Sequence, residues 1–262
     1  MYLSAERLAL ANQAVQETFE QCCIAWQAIP HWDTGDPGQA RVPNDVVNNP
    51  AFLDINLQKK DFRVTVVQAN APTPDSLQAE VIAKTAELAG IVDDDVLPRL
   101  RDKAAGADLT LATTPPTGQQ ILDQLIPARA NLETAGYRAP SCILTNTPGL
   151  IALTKLDSGY SILDSLLGPS NVNSLHRANK VDKNAADNAK IRILLLGRRQ
   201  RIAHGSAAEA SPGEEPVDLA CSLLPSLEVV GETTDSKIEL SVRIRYALRI
   251  KDASGIVVIK AT

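Results

Sequence analysis

Ile238, Leu240, Val242, Ile244, Tyr246, Leu248 and Ile250 alternate strictly with Glu239, Ser241, Arg243, Arg245, Ala247 and Arg249. A period of two held over that length predicts one long strand with a buried face and a wet face. The turn Asp252-Ala253-Ser254-Gly255 leads into a last strand at Ile256–Ile259. Val217–Leu223 and Leu227–Val230 read as two shorter strands ahead of the long one, so the C-terminal third is β.

At the other end of the chain the period is helical. Leu8, Val15, Phe19, Cys22, Cys23 and Trp26 form an apolar stripe over about Ser4 to Trp26, with Ser4 as N-cap and Pro30 closing the segment. From His31 to Pro50 the text is turn chemistry, with Asp33-Thr34-Gly35-Asp36-Pro37-Gly38 followed by Pro43, Asn44, Asn48, Asn49 and Pro50. It predicts a long irregular loop of the kind that carries function. Leu53, Ile55 and Leu57, then Phe62, Val64 and Val66, alternate with polar residues and predict strands. Thr73 at the cap and Pro74 at the first helical position start a long helix on Leu77, Val81, Leu88, Ile91 and Val92, polar at Gln78, Glu80, Lys84 and Glu87. It is expected to end or kink before Pro98.

The middle alternates between helix and strand. After a soft stretch at Ala104–Thr117, a helical region spans about Gln119 to Thr134, with a kink or break expected at Pro127 and Gly136 just past its end. A short strand at Ser141–Thr145 precedes a Pro-started helix from Thr147-Pro148 to about Leu156. A short helix near Ile162–Leu167 follows, then a polar surface loop from Gly168 to Lys190, then a buried strand at Ile191–Leu196.

Composition changes this picture little. Only nine of the 262 residues are aromatic, so Val, Ile, Leu and Ala build the core. The 26 basic and 31 acidic residues give a net charge of −5, which argues against a surface that grips nucleic acid all round. Cys22, Cys23, Cys142 and Cys221 are too sparse for a disulfide scaffold, and their spacing is not that of a zinc site. No apolar run reaches signal-peptide or membrane-spanning length.

Candidate chemistry is thin. His31, His176 and His204 stand in polar stretches without a metal-ligating neighbour and read as solvated loop residues. Asp93-Asp94-Asp95 lacks the alternating oxygen ligands and the glycine of a calcium loop and reads as a solvated helix segment. No nucleophile elbow, phosphate loop or dinucleotide fingerprint occurs, and no acid–base or nucleophile arrangement can be assembled for an enzyme. Arg198, Arg199 and Arg201 form the one dense basic cluster, facing solvent, the interior of an assembly or nucleic acid. Arg243, Arg245 and Arg249 share one strand face and repel one another unless something acidic covers them. Either a neighbouring subunit or a polar surface of the same domain supplies that cover.

The order of elements resembles the Hong Kong ninety-seven capsid fold, shared by tailed-phage major capsid proteins and encapsulins. Three stretches carry the resemblance, which is closest to the encapsulin-like branch. Phe62–Val66 feeding Pro74–Leu97 is similar to the strand leading into the family's spine helix. Tyr137-Arg138-Ala139-Pro140-Ser141-Cys142-Ile143-Leu144-Thr145-Asn146 is similar to the opening of the axial domain. Val217–Leu223 with Ile238–Ile259 is similar to the terminal strands.

The resemblance implies an α+β fold. Its parts are an N-terminal helix at 1–30, an extended loop at 31–60, a peripheral domain with the spine helix at 61–118, an axial α/β domain at 119–216, and C-terminal strands at 217–262 returning to the peripheral domain. It implies a non-enzymatic, cofactor-free, metal-free structural protein. Many copies would assemble as pentamers and hexamers into an icosahedral shell, the capsid of a tailed bacteriophage. Packaged double-stranded DNA would be held without sequence specificity, with scaffolding, portal or decoration proteins as further partners and no membrane. The place of action would be the virion, assembled in the host cytoplasm. Trp32, Asp33, Lys59, Lys60, Arg243, Arg245 and Arg249 are the expected inter-subunit residues. The alternative is an encapsulin nanocompartment around a cargo enzyme, in which the stripe Val15, Phe19, Cys22 and Trp26 would line the interior and dock a cargo tail. The C-terminal text Arg243-Ile244-Arg245-Tyr246-Ala247-Leu248 lacks the aromatic character of ordinary encapsulins and favours the phage reading.

Overall fold

A computed structural model describes residues 3–46, 48–71, 73–104, 109–111, 116–137, 139–157, 159–182, 190–198, 215–233, 235 and 237–261. They fall into two compact units.

The first unit takes in Met1–Asn44, Ala51–Asp94 and Leu219–Leu248. It begins with α1 (Ala5–Cys22), whose first turn is closed by the Ser4 hydroxyl accepting from the Arg7 N–H at 3.2 Å. Ala11, Val15 and Phe19 form its buried stripe. The apolar pattern carries one helix on to Trp26, but the structure breaks it at Cys23 and restarts it as α2 (Ile24–Ala28). A remote carboxylate is responsible. Asp93 accepts from the backbone N–H groups of Ile24 at 3.1 Å and Ala25 at 2.8 Å and from the Cys23 thiol at 3.4 Å. It does for α2 what a local Asp N-cap does for an ordinary helix.

Asp93 is therefore not part of a solvated triplet, being only 7% exposed. Burial pushes its carboxyl above the ordinary value, against the pull of the Ala25 and Ile24 N–H groups. Burial, and then the Asp93 charge, push the Cys23 thiol up, so it stays protonated and donates. Replacing Asp93 with Ala strands two helix-starting N–H groups. The expected loss is about 1–3 kcal/mol of folding stability, read from the urea midpoint.

The unit's sheet has the order β1-β11-β12-β4, formed by β1 (His31–Asp33), β4 (Asn56–Thr65), β11 (Val217–Glu232) and β12 (Lys237–Ile250). β12 pairs antiparallel with β4 from Lys237↔Thr65 to Tyr246↔Asn56. The residues read as the apolar side of β12, from Ile238 to Leu248, are all buried. After the short α3 (Val66–Ala69) comes the spine, α4 (Asp75–Lys103). It lies over the apolar face of the sheet, because Lys60, directly opposite Val242, reaches Glu87 of α4 at 2.7 Å. Of the two outcomes expected at Pro98, an end or a kink, the end does not occur, since α4 runs through it to Lys103. The missing N–H and ring clash cost about 3 kcal/mol. Val96, Leu97 and Leu100 around it are fully buried, and each such side chain contributes about 1.5–3 kcal/mol.

The second unit takes in Asp45–Pro50, Asp95–Asp218 and Arg249–Thr262. Its elements are β5 (Leu109–Leu111), α5 (Gly118–Thr134), β6 (Ala139–Thr145), α6 (Thr147–Leu153), β7 (Leu156–Asp157), β8 (Tyr160–Ser161), α7 (Leu163–Leu167), β9 (Val172–Arg177), β10 (Arg192–Arg198) and β13 (Ile256–Ala261). Five of them form a sheet of order β5-β13-β10-β6-β9. Ile143, Ile193, Leu195, Val257 and Ile259 share a core with Ile121, Leu125, Ala128 and Leu132 of α5. Helix α5 starts from a capping box between Thr117 and Gln120 and runs unbroken through Pro127. In this unit β5 lies inside the soft stretch, and β9 lies inside Gly168–Lys190, where a loop was expected. The last strand, β13, joins this sheet between β5 and β10, rather than returning with β11 and β12 to the spine.

Candidate assembly surfaces

The polar face of β12 carries a ladder of charge pairs. Opposite Glu239 stands Arg63, and the two meet at 3.3 Å. Opposite Arg243 stands Lys59, so the register brings two of the sequence-picked cations side by side. Each is neutralised within the chain: Lys59 by Asp61 at 2.8 Å, Arg243 by Glu228 on β11. The Asp61 hydrogen bond raises the Lys59 ammonium above its ordinary value, and the Lys59 hydrogen bond lowers Asp61 in return. Lys60 is on the other face with Glu87.

Beyond Arg243 the same face is covered by the chain itself. The segment from His31 to Ile55 folds across it as a strap containing the hairpin of β2 (Arg41–Pro43) and β3 (Phe52–Asp54). Val42, Ile55, Trp32 and Leu53 pack with Ala220 and Ala247 in a small core of their own. Arg245 donates to the Pro37 carbonyl at 2.9 Å, and the Thr34 N–H donates to the Cys221 carbonyl at 2.8 Å. Asp33 is exposed and accepts from the Gly35 N–H at 2.8 Å, where Gly35 takes a left-handed φ of 78°. The strap presents Phe52, 73% exposed, on its outer side.

Arg249, read from the sequence as a residue of the wet face, is only 2% exposed. Its Nε and Nη2 donate to Asp218 at 2.6 and 2.7 Å, its Nη1 to Asp45 at 2.5 Å, and Lys251 joins Asp218 at 2.8 Å. Burial pushes the Asp218 carboxyl up, but the Arg249 and Lys251 hydrogen bonds and charges outweigh it and hold the group below its ordinary value. Acidic cover for two of the three arginines thus comes from their own chain, Glu228 for Arg243 and Asp218 with Asp45 for Arg249, while Arg245 meets the neutral Pro37 carbonyl.

Several large exposed side chains are apolar, and the pattern of charges did not point to them. In the second unit Ile151 on α6 is 65% exposed and Tyr160 on β8 is 80% exposed, with Leu156 on β7 exposed between them. A buried polar knot fixes the helix that carries Ile151. Asn146 accepts from the Gly149 N–H at 2.9 Å and the Arg192 N–H at 3.2 Å, and donates to Asp182 at 2.7 Å and to the Lys190 carbonyl at 2.6 Å. A Cβ on Gly149 would lie 2.1 Å from the Thr145 hydroxyl, so the first turn of α6 has room only for glycine.

Arg198 ends β10 and is half-buried, and its charge acts on His176 of β9 and Cys142 of β6. Arg199, Arg201 and His204 lie outside the described residues. His176 and His31 are not free loop histidines. Burial, and then Arg198, hold His176 below its ordinary value, while His31 stacks on Trp26 with ring centres 3.6 Å apart and is likewise lowered by burial. The stripe proposed for cargo docking is spent internally, because Val15, Phe19 and Trp26 are buried and only Cys22 is exposed. Among the described residues no group of three His, Cys, Asp or Glu is placed to hold a metal ion. No helix among them is long and apolar enough to cross a membrane.

A spine helix over the sheet of β4, β11 and β12, a separate five-stranded α/β unit and a strap-like hairpin define the Hong Kong ninety-seven capsid fold, and the chain has that fold. A virus-like particle from Pyrococcus furiosus is similar to it with a TM-score of 0.68 at 15% identity, over 97% of this chain and 100% of that one. The encapsulin of the holo-SrpI complex from Synechococcus elongatus PCC 7942 is similar at a TM-score of 0.58 and 16% identity, over 92% and 88% of the two chains. The capsid protein of the cyanophage P-SCSP1u is similar at 0.57 and 9%, over 90% and 86%. No protein-family model matches the sequence, and no curated protein matches it significantly.

Proposed function

We propose that this chain is the repeating subunit of an icosahedral shell, the major capsid protein around the double-stranded DNA of a tailed phage. The observation that carries the reading is likeness of fold along nearly the whole chain to proteins of a virus-like particle, a phage capsid and an encapsulin. A structural role also suits the distribution of polar groups. The side chains Phe52, Ile151, Leu156 and Tyr160 are largely exposed and mostly apolar, as surfaces covered by other subunits are. We assign the contacts between copies to Ile151, Leu156 and Tyr160 in one unit, and to the strap with Trp32, Asp33, Phe52, Lys59, Lys60, Arg243 and Arg245 in the other.

Scaffolding, portal or decoration proteins, and assembly in the host cytoplasm, belong to the same proposal. The second reading, a nanocompartment around a cargo enzyme, is supported by the likeness to the Synechococcus encapsulin. It loses its proposed cargo site, since the α1 stripe is packed inside its own unit. Electron microscopy of the protein, purified alone and from its native source, tests both readings. Closed particles filled with DNA are the expected result. Particles holding one co-purifying enzyme would select the nanocompartment, and a species that stays monomeric or dimeric from both sources would overturn the shell.

A further inference from the structure

The break between α1 and α2 is held from both sides. In one continuous helix the Ile24 N–H would donate to the Glu20 carbonyl and the Ala25 N–H to the Gln21 carbonyl. All four groups are engaged elsewhere. The Asp93 carboxylate takes the two N–H groups, at 3.1 and 2.8 Å. The Gln27 side-chain amide donates to the two carbonyls, at 2.8 Å to Glu20 and 2.7 Å to Gln21. Two side chains thus occupy the hydrogen bonds that would close the helix.

Nothing in the local sequence opens the helix. Residues 20–27 include neither Gly nor Pro, the residues that disfavour a helix interior most. The Cys23 N–H still donates to the Phe19 carbonyl at 2.9 Å, as in a helix, and the Gln27 N–H donates to the Cys23 carbonyl at 3.2 Å. Cys23, with φ −84° and ψ 109°, leaves the helical region through ψ alone. The two clamps differ in kind. Gln27 is exposed and neutral, whereas Asp93 is buried and holds the two N–H groups and the Cys23 thiol. A proton on Asp93 would turn one of its oxygens into a donor. The ionisable groups that act on Asp93 are Cys23 facing it and Asp94 beside it on α4. The Asp94 charge favours that proton, and the Cys23 thiol keeps its own.

We propose that residues 20–27 are a two-state joint, bent while Asp93 is ionised and straight, with α1 and α2 as one helix, when Asp93 is protonated. Acid favours the straight form because only the bent form needs the carboxylate as acceptor. A neutral carboxyl is also left buried at lower cost than a charge. Straightening re-pairs Ile24 and Ala25 with Glu20 and Gln21. It takes Trp26 away from Phe19 and His31, whose ring centres lie 5.4 and 3.6 Å from its own. A proton is thereby converted into a movement of the chain between α1 and β1. The joint lies within the first unit and does not depend on the shell reading.

Carbon NMR of the full-length chain with isotope-labelled cysteine tests it, because the Cα shift of Cys23 reports its ψ and the chain has only four cysteines. At neutral pH, where the charge on His31 is common to parent and variant, Asp93→Asn is expected to move most of the Cys23 signal from the extended to the helical position. The parent should make the same move on acidification, at a pH above that of an exposed carboxylate, since burial raises Asp93. Asp93→Asn combined with Ile24→Pro should keep the extended position. Proline has no N–H and its ring clashes with the Glu20 carbonyl of a straight helix, yet it suits the first position of α2 after an extended residue. An extended Cys23 signal in folded Asp93→Asn would overturn the joint. So would a helical signal in the double variant, which would mean loosening rather than helix closure. Should Asp93→Asn fail to fold, the parent decides: a Cys23 signal that stays extended down to acid unfolding would overturn the joint.

Discussion

Replacing Asp218 with Asn is expected to remove about 3–5 kcal/mol of folding stability, the range for breaking one partner out of a buried ion cluster. The carboxylate is the shared acceptor of Arg249 and Lys251, and an amide leaves two buried cations facing one neutral oxygen and an N–H group. Domains hold about 5–15 kcal/mol in all, so the urea midpoint should fall by a large fraction. The same residue sets an acid limit. Its folded pKa lies below the ordinary value. Its contribution is therefore complete above the unfolded pKa of about 3.9 and is lost as pH falls through the folded one. The parent should lose this stability in acid below about pH 4, and Asp218→Asn should lack that limb of the profile. Exchanging Asp218, Arg249 and Lys251 together for apolar residues of similar size should fold better than Asp218→Asn, because no charge is then stranded. An Asp218→Asn midpoint equal to the parent's would show that the cluster does not hold this unit together.

That cluster marks where reading the sequence stops. The alternation from Ile238 to Ile250 placed the strand and its buried face correctly, because a period of two is a local property of the chain. The second face was read as wet because nothing local says that residues two hundred positions upstream fold over it. Ala247 packs under the strap, and Arg249, on the face that alternation marks as wet, is buried against Asp218 and Asp45. The break at Cys23 is similar in kind. The stripe from Leu8 to Trp26 is continuous, and the group that interrupts it, Asp93, belongs to a distant helix. β9 was missed because Val172-Asn173-Ser174-Leu175-His176-Arg177 has no clean alternation. It is a parallel edge strand held by β6 on one side.

The exposed surface is only partly legible for a related reason. Charges stand out in a sequence, yet a charge is as easily spent on its own chain, as Lys59, Arg243 and Arg249 are. Exposed apolar residues in short elements look like core residues until the fold shows which way they point. Ile151, in a helix whose Ala152 and Leu153 are buried, gives no sign in the sequence of facing outward.

Ile151→Glu combined with Tyr160→Glu is therefore expected to abolish particles while leaving a folded subunit. Both side chains are largely exposed, and surface substitutions of that kind change stability by about 0.5 kcal/mol or less. The thermal midpoint of the isolated subunit should stay within a few degrees of the parent's. In a closed assembly the same patch recurs in every copy, so a carboxylate that must be buried unpaired, at a cost of several kcal/mol, is charged to each contact at once. The effect on assembly should be close to all-or-none, with sedimentation and electron microscopy showing free subunits where the parent forms shells. The substitution of choice is apolar to acidic because it leaves the intrachain pairs of β12 and β4 untouched. Shells in parental yield would show that the patch around α6 and β8 faces solvent, and would move the contacts between copies to Phe52 and the strap.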